Sequence, residues 1–281
     1  MHTSADVTDA SLTRRTLVMG VLNATPDSFY TPSTILDPDS AAVRAREMAN
    51  NGADIIDIGG ESSRPGAAPT GLEEELARVL PVFESLEGSG LRLSIDTYRA
   101  ETARAALARG ASMVNDITAL GGDAEMAGVV AESGAECVLM HMQGTPETMQ
   151  VGPQYANLMD ELCAFFEERI AYAVDQGIAE EKVWIDPGFG FGKTVEHNLT
   201  ILRRLNELGK FGRPVLIGTS NKSTIGAVLD ASPGERAEGT AATVAVAVWN
   251  GAAGVRVHDV KAMARVARMC DAIAGRISVD G

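Results

Sequence analysis

The sequence predicts a single α/β domain folded as a (β/α)8 TIM barrel. Eight short apolar runs rich in Val and Ile are separated by longer amphipathic stretches. Such alternation is typical of parallel strands, buried on both faces, that are joined by helices. The order helix, Gly, small residue, strand also recurs along the chain, as expected of successive βα units. The length of 281 residues lies within the range of this fold.

The eight apolar runs are the predicted strands, at residues 17–22, 55–59, 91–96, 113–116, 137–140, 183–186, 214–218 and 254–258. The predicted helices follow at residues 40–51, 72–86, 99–109, 125–133, 157–176, 195–208, 238–249 and 261–274. Asp39 is expected to cap the first helix and Gly52 to end it, and Gly209 is expected to end the helix at residues 195–208. A doubly wound open sheet remains an alternative, but it would need a glycine-rich phosphate turn after the first strand, and none is present. We expect residues 1–14 to be a disordered tail and residues 15–281 to form the barrel.

The charge and the cysteines restrict the classes of function. The formal net charge of −14 argues against nucleic-acid binding, which needs a basic surface. It does not exclude an anionic substrate, because a few basic side chains can dominate inside a cleft. The three cysteines have no metal-ligand or disulfide spacing, and no apolar run reaches the ~18 residues of a membrane span. We therefore expect a cytoplasmic protein with small-molecule substrates and no membrane or nucleic-acid partner.

Polar residues cluster at the carboxyl ends of the predicted strands. In a (β/α)8 barrel these ends meet at one mouth, where the active site lies. Buried polar groups need hydrogen-bond partners, and a ligand with many hydrogen-bonding edges would supply them. The residues selected in this way are Asn23, Asp57, Glu61 to Arg64, Asp96, Asn115, Asp116, His141, Asp186, Ser220 to Lys222, Arg256 and His258.

Two subsets of these residues have different chemistry. Asp96, Asn115 and Asp186 would suit a flat heterocycle with an amino-pyrimidinone edge. Arg64, Lys222, Arg256 and His258, with Asn23 nearby, would suit a phosphate or diphosphate. Three further residues also have structural interpretations: Asp57 as a satisfied strand carboxylate, Asp116 as a loop cap and His141 as a packed core residue. The residues alone thus indicate a group-transfer site with a charged leaving group.

Seven segments resemble the motifs of the dihydropteroate synthases. In the family's order they are VMGVLNATPDSF at 18–29, DIGGESSRPGA at 57–67, SIDT at 94–97, VNDI at 114–117, MHMQG at 140–144, DPGFGFGK at 186–193 and VRVHDV at 255–260. The matches extend over nearly the whole chain from Leu17 onward. The resemblance implies a transferase of folate biosynthesis. In its reaction para-aminobenzoate displaces pyrophosphate from 7,8-dihydropterin-6-ylmethyl diphosphate to give 7,8-dihydropteroate.

The resemblance also implies a role for each matching residue, and the family it points to is a target of sulfonamides. The pterin would be bound by Asp96, Asn115, Met140, Asp186, Gly218 and Lys222. The diphosphate would be bound by Ser63, Arg64, Arg256 and His258, and the para-aminobenzoate by Phe29, Pro65, Phe191 and Ser223. Asn23 would be a ligand of Mg²⁺, the implied cofactor. Asp96, Lys222, Arg256 and His258 would take part in catalysis. We also expect a homodimer.

The chain departs from the family pattern at two places. Residues 30–33 read YTPS where the family usually has SDGG, and Asn221 replaces the arginine that usually precedes the strand-end lysine. Two alternatives therefore stay open. One is a catalytically silent paralogue that binds pterin as a regulatory subunit. The other is a pterin-binding barrel that transfers a methyl group to a corrinoid protein, although Arg256 and His258 count against it because that reaction has no diphosphate to bind.

Overall fold

Eight parallel strands alternate with helices along the chain. The computed structural model describes residues 15–24, 38–62 and 69–278, and the predicted tail at residues 1–14 lies outside them. The strands are β1 Leu17–Asn23, β2 Ile55–Gly59, β3 Leu93–Asp96, β4 Ala111–Asp116, β5 Glu136–Met140, β6 Val183–Asp186, β7 Leu216–Ile217 and β8 Gly254–Val257. All eight predicted strands are present, with ends that differ by up to two residues.

The strands form one closed barrel. Their order in the sheet is β6-β5-β4-β3-β2-β1-β8-β7, and a parallel bridge between Ile185 and Val215 joins the two outer strands. β7 is only two residues long, shorter than predicted. Pro214 has no N–H to donate, and its carbonyl oxygen accepts a hydrogen bond of 3.0 Å from the Ile185 amide. The predicted (β/α)8 barrel is confirmed, and the open-sheet alternative is wrong.

The helices pack around the outside of the barrel. They are α1 Pro38–Asn50, α2 Leu72–Ser85, α3 Ala100–Leu107, α4 Met126–Ser133, α5 Leu158–Asp175, α6 Val195–Arg203, α7 Ser223–Leu229, α8 Ala237–Trp249 and α9 Val260–Ile273. Asp39 lies inside the first turn of α1, so the prediction that it caps this helix was wrong. Proline suits the first turn because its fixed φ angle is already helical, and the helix accordingly begins at Pro38.

Two helices differ from the sequence prediction. α6 ends at Arg203, and the chain continues as a 3₁₀ helix, Leu205–Phe211, rather than as a regular helix to residue 208. Gly209 does not end the helix; Gly212 ends the 3₁₀ segment with a left-handed φ of 61°. The short helix α7 was not predicted. Within the described residues, none of the helices has the length and apolarity needed to cross a membrane.

The barrel interior has an apolar layer below a polar one. The lower layer is formed by one residue from each of six strands: Met19, Ile55, Met113, Val138, Trp184 and Leu216. Side chains alternate between the two faces of a strand, so residues two positions further along point to the same side. Two positions beyond these six residues stand Val21, Asp57, Asn115, Met140, Asp186 and Gly218. The intervening residues, such as Ile56 and Val114, are buried in the apolar cluster outside the strands. The fold therefore brings the strand-end polar groups together on one side of this six-residue apolar layer.

Candidate active site

A cavity opens at the carboxyl ends of the strands. The space between its walls, counting the part open to solvent, is about 470 Å³. Its lining consists of Val21, Asp96, Asn115, Ile117, Met140, Asp186, Gly188, Phe189, Phe191, Gly218, Ser220, Lys222, Arg256 and His258. The cavity thus brings together side chains from β1, β3, β4, β5, β6 and β8 and from the loops that follow the strands.

Arg256 joins two carboxylates at the bottom of the cavity. Its Nε donates to Asp57 Oδ2 at 2.6 Å, and its Nη2 donates to Asp96 Oδ2 at 2.6 Å. Burial alone would lower the pKa of Arg256, but the two carboxylates raise it above its ordinary value. Among the described residues, none accepts a hydrogen bond from Nη1 of this guanidinium, which leaves that nitrogen to donate to an anion.

Asp57 accepts hydrogen bonds from two other side chains of the site. Its Oδ2 atom accepts from Arg256 and also from Asn115 Nδ2, at 2.9 Å. The Asp57 side chain is fully buried, and Oδ1 makes no hydrogen bond to any described residue. The two bonded donors are a cation and an amide that face the cavity. Asp57 is therefore more than a strand carboxylate, because it orients Arg256 and Asn115.

The two cavity-facing aspartates lie in a low-dielectric environment. Burial raises the pKa of Asp96, against the opposing effect of Arg256. Burial also raises the pKa of Asp186 to about 6, opposed by a hydrogen bond from the Gly188 amide and by the nearby cations. That amide donates to Asp186 Oδ1 at 2.7 Å. Both groups are acceptors that an incoming ligand with N–H donors could pair.

Gly188 allows the backbone to pass close to the neighbouring loop. Its φ angle is +67°, and a Cβ atom at this position would lie 1.8 Å from the carbonyl oxygen of His141. A side chain here would collide with backbone, which cannot move aside. The DPGFGFGK segment therefore needs glycine at this position for its shape.

Lys222 and Phe191 meet on one wall of the cavity. The Lys222 Nζ atom lies 4.1 Å from the centre of the Phe191 ring, within the range of a cation–π contact. Burial lowers the pKa of Lys222 to about 8, with a further contribution from Arg256. The lysine therefore remains mostly protonated at neutral pH and presents N–H donors beside an aromatic surface.

His258 stands at the outer rim. Its Nδ1 atom lies 3.0 Å from Ser220 Oγ, and its backbone amide donates to the same oxygen at 3.3 Å. The imidazole is exposed, unlike the aspartates below it. Together with Arg256 deeper in the cavity, it provides hydrogen-bonding groups from the rim to the inner end of the cavity.

The backbone conformation of Asn221 explains one departure from the family pattern. Its φ angle is +58°, a left-handed conformation that asparagine adopts more readily than most residues. Its amide donates to Thr240 Oγ1 at 3.2 Å, and its carbonyl oxygen accepts from Arg236 Nη1 at 2.9 Å. The turn before Lys222 is therefore held through the backbone of residue 221.

Two of the predicted polar residues have structural roles. Asp116 accepts from the amides of Thr118 and Leu120 and from the Thr118 hydroxyl. It caps the loop after β4, as the structural interpretation holds. His141 is buried and packs edge-on against Phe165, with ring centres 4.8 Å apart. Neither residue lines the cavity.

The other predicted site residues fall into three groups. Asp96, Asn115, Met140, Asp186, Phe191, Gly218, Lys222, Arg256 and His258 line the cavity together. Asn23 is half-buried at the end of β1, two positions beyond the cavity-lining Val21, and Ser223 is exposed at the start of α7. Phe29, Ser63, Arg64 and Pro65 lie outside the described residues. The rule that active-site residues lie at strand ends did not select Ile117, Gly188 or Phe189. Ile117 could have been indicated because it lies two positions after Asn115, and Gly188 and Phe189 because they belong to the DPGFGFGK segment.

Comparisons with known proteins agree with this architecture. A family model described as "Pterin binding enzyme" matches residues 19–258. The chain is 46% identical to the dihydropteroate synthase of Synechocystis sp., over 92% of this chain and 91% of that protein.

Solved structures give the same result. A Yersinia pestis dihydropteroate synthase with a sulfonamide drug complex superposes with a TM-score of 0.88, at 41% identity, over 94% of this chain and 95% of that one. A Xanthomonas albilineans dihydropteroate synthase with 4-aminobenzoic acid has a TM-score of 0.86 at 41% identity, over 92% of this chain and 93% of that one.

Proposed function

Because this chain belongs to the pterin-binding enzymes and, among them, to the dihydropteroate synthases, we propose that the cavity at its barrel mouth is where the reaction of these enzymes takes place. The amino nitrogen of para-aminobenzoate forms a bond to the methylene carbon of 7,8-dihydropterin-6-ylmethyl diphosphate. The carbon–oxygen bond to diphosphate breaks, and the nitrogen then loses a proton. The product is 7,8-dihydropteroate. The observation that carries this proposal is the convergence of Asp96, Asn115 and Asp186 with Arg256 in one cavity.

The pterin end of the substrate fits the buried inner end of the cavity. We propose that Asp186 accepts hydrogen bonds from the amino-pyrimidinone edge, and that Asn115 and Lys222 complete the set of donors and acceptors. Met140 and Gly218 lie beside this edge and leave room for a flat ring. Asp96 is placed to stabilise positive charge that develops on the methylene carbon as the diphosphate departs, because charge is stabilised most strongly in a site that excludes water.

The diphosphate end fits the cationic side of the cavity. We propose that Arg256 binds it through the donor that the two aspartates leave available, and that His258 and Ser63 with Arg64 contact it nearer the rim. These groups take up the negative charge that grows on the leaving oxygen. The arylamine is a neutral nucleophile, so its alignment along the breaking bond matters more than its activation. Phe191, with Phe29, Pro65 and Ser223, would frame it.

Mg²⁺ is the proposed cofactor, and Asn23 is its proposed protein ligand. Mg²⁺ keeps several waters and often takes only one or two protein ligands together with substrate phosphates. The donors fit that pattern, since an amide oxygen stands at the end of β1 and the described residues contain no cluster of three or more His, Cys, Asp or Glu that could hold a metal alone. When bound with the diphosphate, the ion would neutralise part of the leaving group's charge.

The assay that tests this function measures pyrophosphate release from the pterin diphosphate with and without para-aminobenzoate, in the presence of Mg²⁺. We expect release to depend on para-aminobenzoate and to yield dihydropteroate in equal amount. A chain that binds the pterin diphosphate but releases no pyrophosphate would instead be a silent paralogue.

The pH dependence of pterin binding provides a second test. Burial raises the pKa of Asp186 to about 6, so this group is mostly ionised at pH 7 and becomes protonated below pH 6. A protonated carboxyl loses one acceptor for the ligand. We therefore expect affinity for a pterin to fall by up to about tenfold per pH unit below this pKa, as titration calorimetry would measure. Constant affinity between pH 7 and pH 5 would contradict the assignment of Asp186.

Association and location complete the proposal. Exposed apolar side chains on α7 and α8 support a homodimer: Val228, Leu229, Val246 and Trp249. We propose that two chains associate through this face, and a measured mass equal to the 29.5 kDa of one chain would overturn the idea. The three cysteines are free thiols, which supports a cytoplasmic location because that compartment keeps thiols reduced.

A further inference from the structure

Lys193 is a buried cation close to the cavity that has no part in the reaction described above. Its side chain is 3% exposed and does not line the cavity. The ammonium group has three neighbours within hydrogen-bond distance: His141 Nδ1 at 3.0 Å, the Phe191 carbonyl oxygen at 3.0 Å and the His141 carbonyl oxygen at 3.4 Å. Each of its three N–H groups thus has a partner.

His141 is suited to accept from this ammonium. Burial, together with the charge of Lys193, lowers the pKa of His141 to about 3. The imidazole is therefore neutral, and its Nδ1 atom accepts when the proton is on Nε2. The contact explains why a histidine and a lysine stand together in the interior without a carboxylate directly bonded to either.

The bonds of Lys193 fix the turn between β6 and α6. The loop after β5 holds the same turn at two more places, since Gln150 Nε2 donates to the Gly190 carbonyl oxygen and the Tyr155 hydroxyl donates to the Gly192 carbonyl oxygen, each at 2.8 Å. Lys193 follows these two glycines in the sequence, and its ammonium group bonds to the main chain of Phe191. The Phe191 ring in turn lies under Lys222. The buried ammonium therefore helps to set the position of the aromatic wall of the cavity.

The charge of Lys193 also acts on the pterin end of the site. Its Nζ atom lies 3.3 Å from the point that a Cβ on Gly188 would occupy, and the Gly188 amide donates to Asp186. Three cations face Asp186: Lys222 from the start of α7, Lys193 from the β6–α6 turn and Arg256 from β8. Of the three, only Lys193 does not line the cavity. Burial lowers the pKa of Lys193 to about 7, against the opposing effect of Asp186, so the group is mostly protonated below pH 6, where Asp186 takes up its proton.

We propose that Lys193 is a positioning residue of the active site, which holds the Phe191 main chain in place and supplies an ammonium group near Asp186 from outside the ligand's reach. The inference rests on the proposed function, because it concerns the acceptor that the pterin needs. It assigns the lysine of the DPGFGFGK segment a task in ligand binding in addition to folding.

The experiment compares three proteins: the unmodified chain, Lys193→Met and Tyr155→Phe. The probe is 6-hydroxymethylpterin, which has the amino-pyrimidinone edge but no diphosphate, and its affinity is measured by calorimetry from pH 5 to pH 8. Lys193→Met should move the midpoint of the acid-side loss of affinity upward by about one pH unit, because one of the three cations is gone. It should also raise the KM for para-aminobenzoate several-fold.

Tyr155→Phe is the matched control, because it removes the hydrogen bond from Tyr155 to the same turn and removes no charge. Affinity should weaken modestly at every pH, with the midpoint unmoved. If Lys193→Met does not fold, Lys193→Gln makes the same test, since it removes the charge but keeps two of the three donors. An unchanged midpoint in the folded lysine variant, or an equal shift in Tyr155→Phe, would overturn the inference. Failure of the unmodified chain to bind the probe would overturn the proposed function instead.

Discussion

Replacement of Arg256 by lysine is expected to lower the rate of pyrophosphate release by about 100-fold, the typical loss when one preorganised charge-stabilising donor is removed. Arginine here bonds to Asp57 and Asp96 through two nitrogen atoms and has a third that can reach an anion. A lysine ammonium is a compact charge without this planar fork, so it cannot satisfy both carboxylates and a diphosphate oxygen in the same geometry. Steady-state kinetics with both substrates saturating would measure the loss.

Arg256→Met is the informative partner of this variant. It removes the charge altogether and leaves the fully buried Asp57 without its cation, an arrangement that typically costs about 3–5 kcal/mol of folding stability. Urea unfolding should therefore show that Arg256→Met is much less stable than Arg256→Lys. Near-normal turnover in the lysine variant would mean that the diphosphate binds away from β8.

Replacement of Asp186 by asparagine is expected to weaken pterin binding by about 10- to 100-fold, since a buried ligand donor left unpaired costs about 1–3 kcal/mol. The side chain keeps its shape, but one acceptor oxygen becomes an NH₂ donor that faces donors of the ligand. The hydrogen bond from the Gly188 amide to the remaining oxygen can persist, so the loop should keep its conformation. Calorimetric titration with 6-hydroxymethylpterin would measure the change.

Asp116→Asn is the matched control for this substitution. Asp116 is also a buried carboxylate at a strand end, but its oxygens bond to the loop after β4 and it does not line the cavity. This control should lower thermal stability and leave pterin affinity nearly unchanged. If Asp186→Asn binds pterin as tightly as the unmodified chain, another group binds the amino-pyrimidinone edge.

The sequence predicted the barrel well because each strand is a short, mainly apolar run with turn signals on either side. Its predictions were weakest where local patterns are short or ambiguous. α7 has seven residues and begins directly after Lys222, so it contains too few turns to show a helical period. The end of α6 was misplaced because Gly209 was expected to stop the helix, whereas the chain passes into a 3₁₀ segment first.

The sequence predicted which residues line the candidate site, but not which of them bond to one another. The rule that strand ends meet at one mouth selected Asp96, Asn115, Asp186 and Arg256 without any structure. No sequence pattern indicates that Asp57 bonds to Arg256, because the two residues are 199 positions apart. The role of Lys193 was missed for the same reason. Its partner His141 comes from the preceding βα loop, and only the folded chain brings the two together.

Along a strand, a residue of the apolar layer such as Ile55 precedes a cavity-facing residue such as Asp57 by two positions. This spacing limits how the protein can change in evolution. Inserting or deleting one residue within a strand would turn every later side chain of that strand to the opposite face. An insertion before Asp57 would direct its carboxylate into the apolar shell outside the barrel, and an insertion before Asp186 would do the same to the pterin acceptor. Natural length variation should therefore be concentrated in the loops and helices. A strand can take up one extra residue only through a β-bulge, as β4 does where the consecutive residues Leu93 and Ser94 pair with Ala111 and Met113.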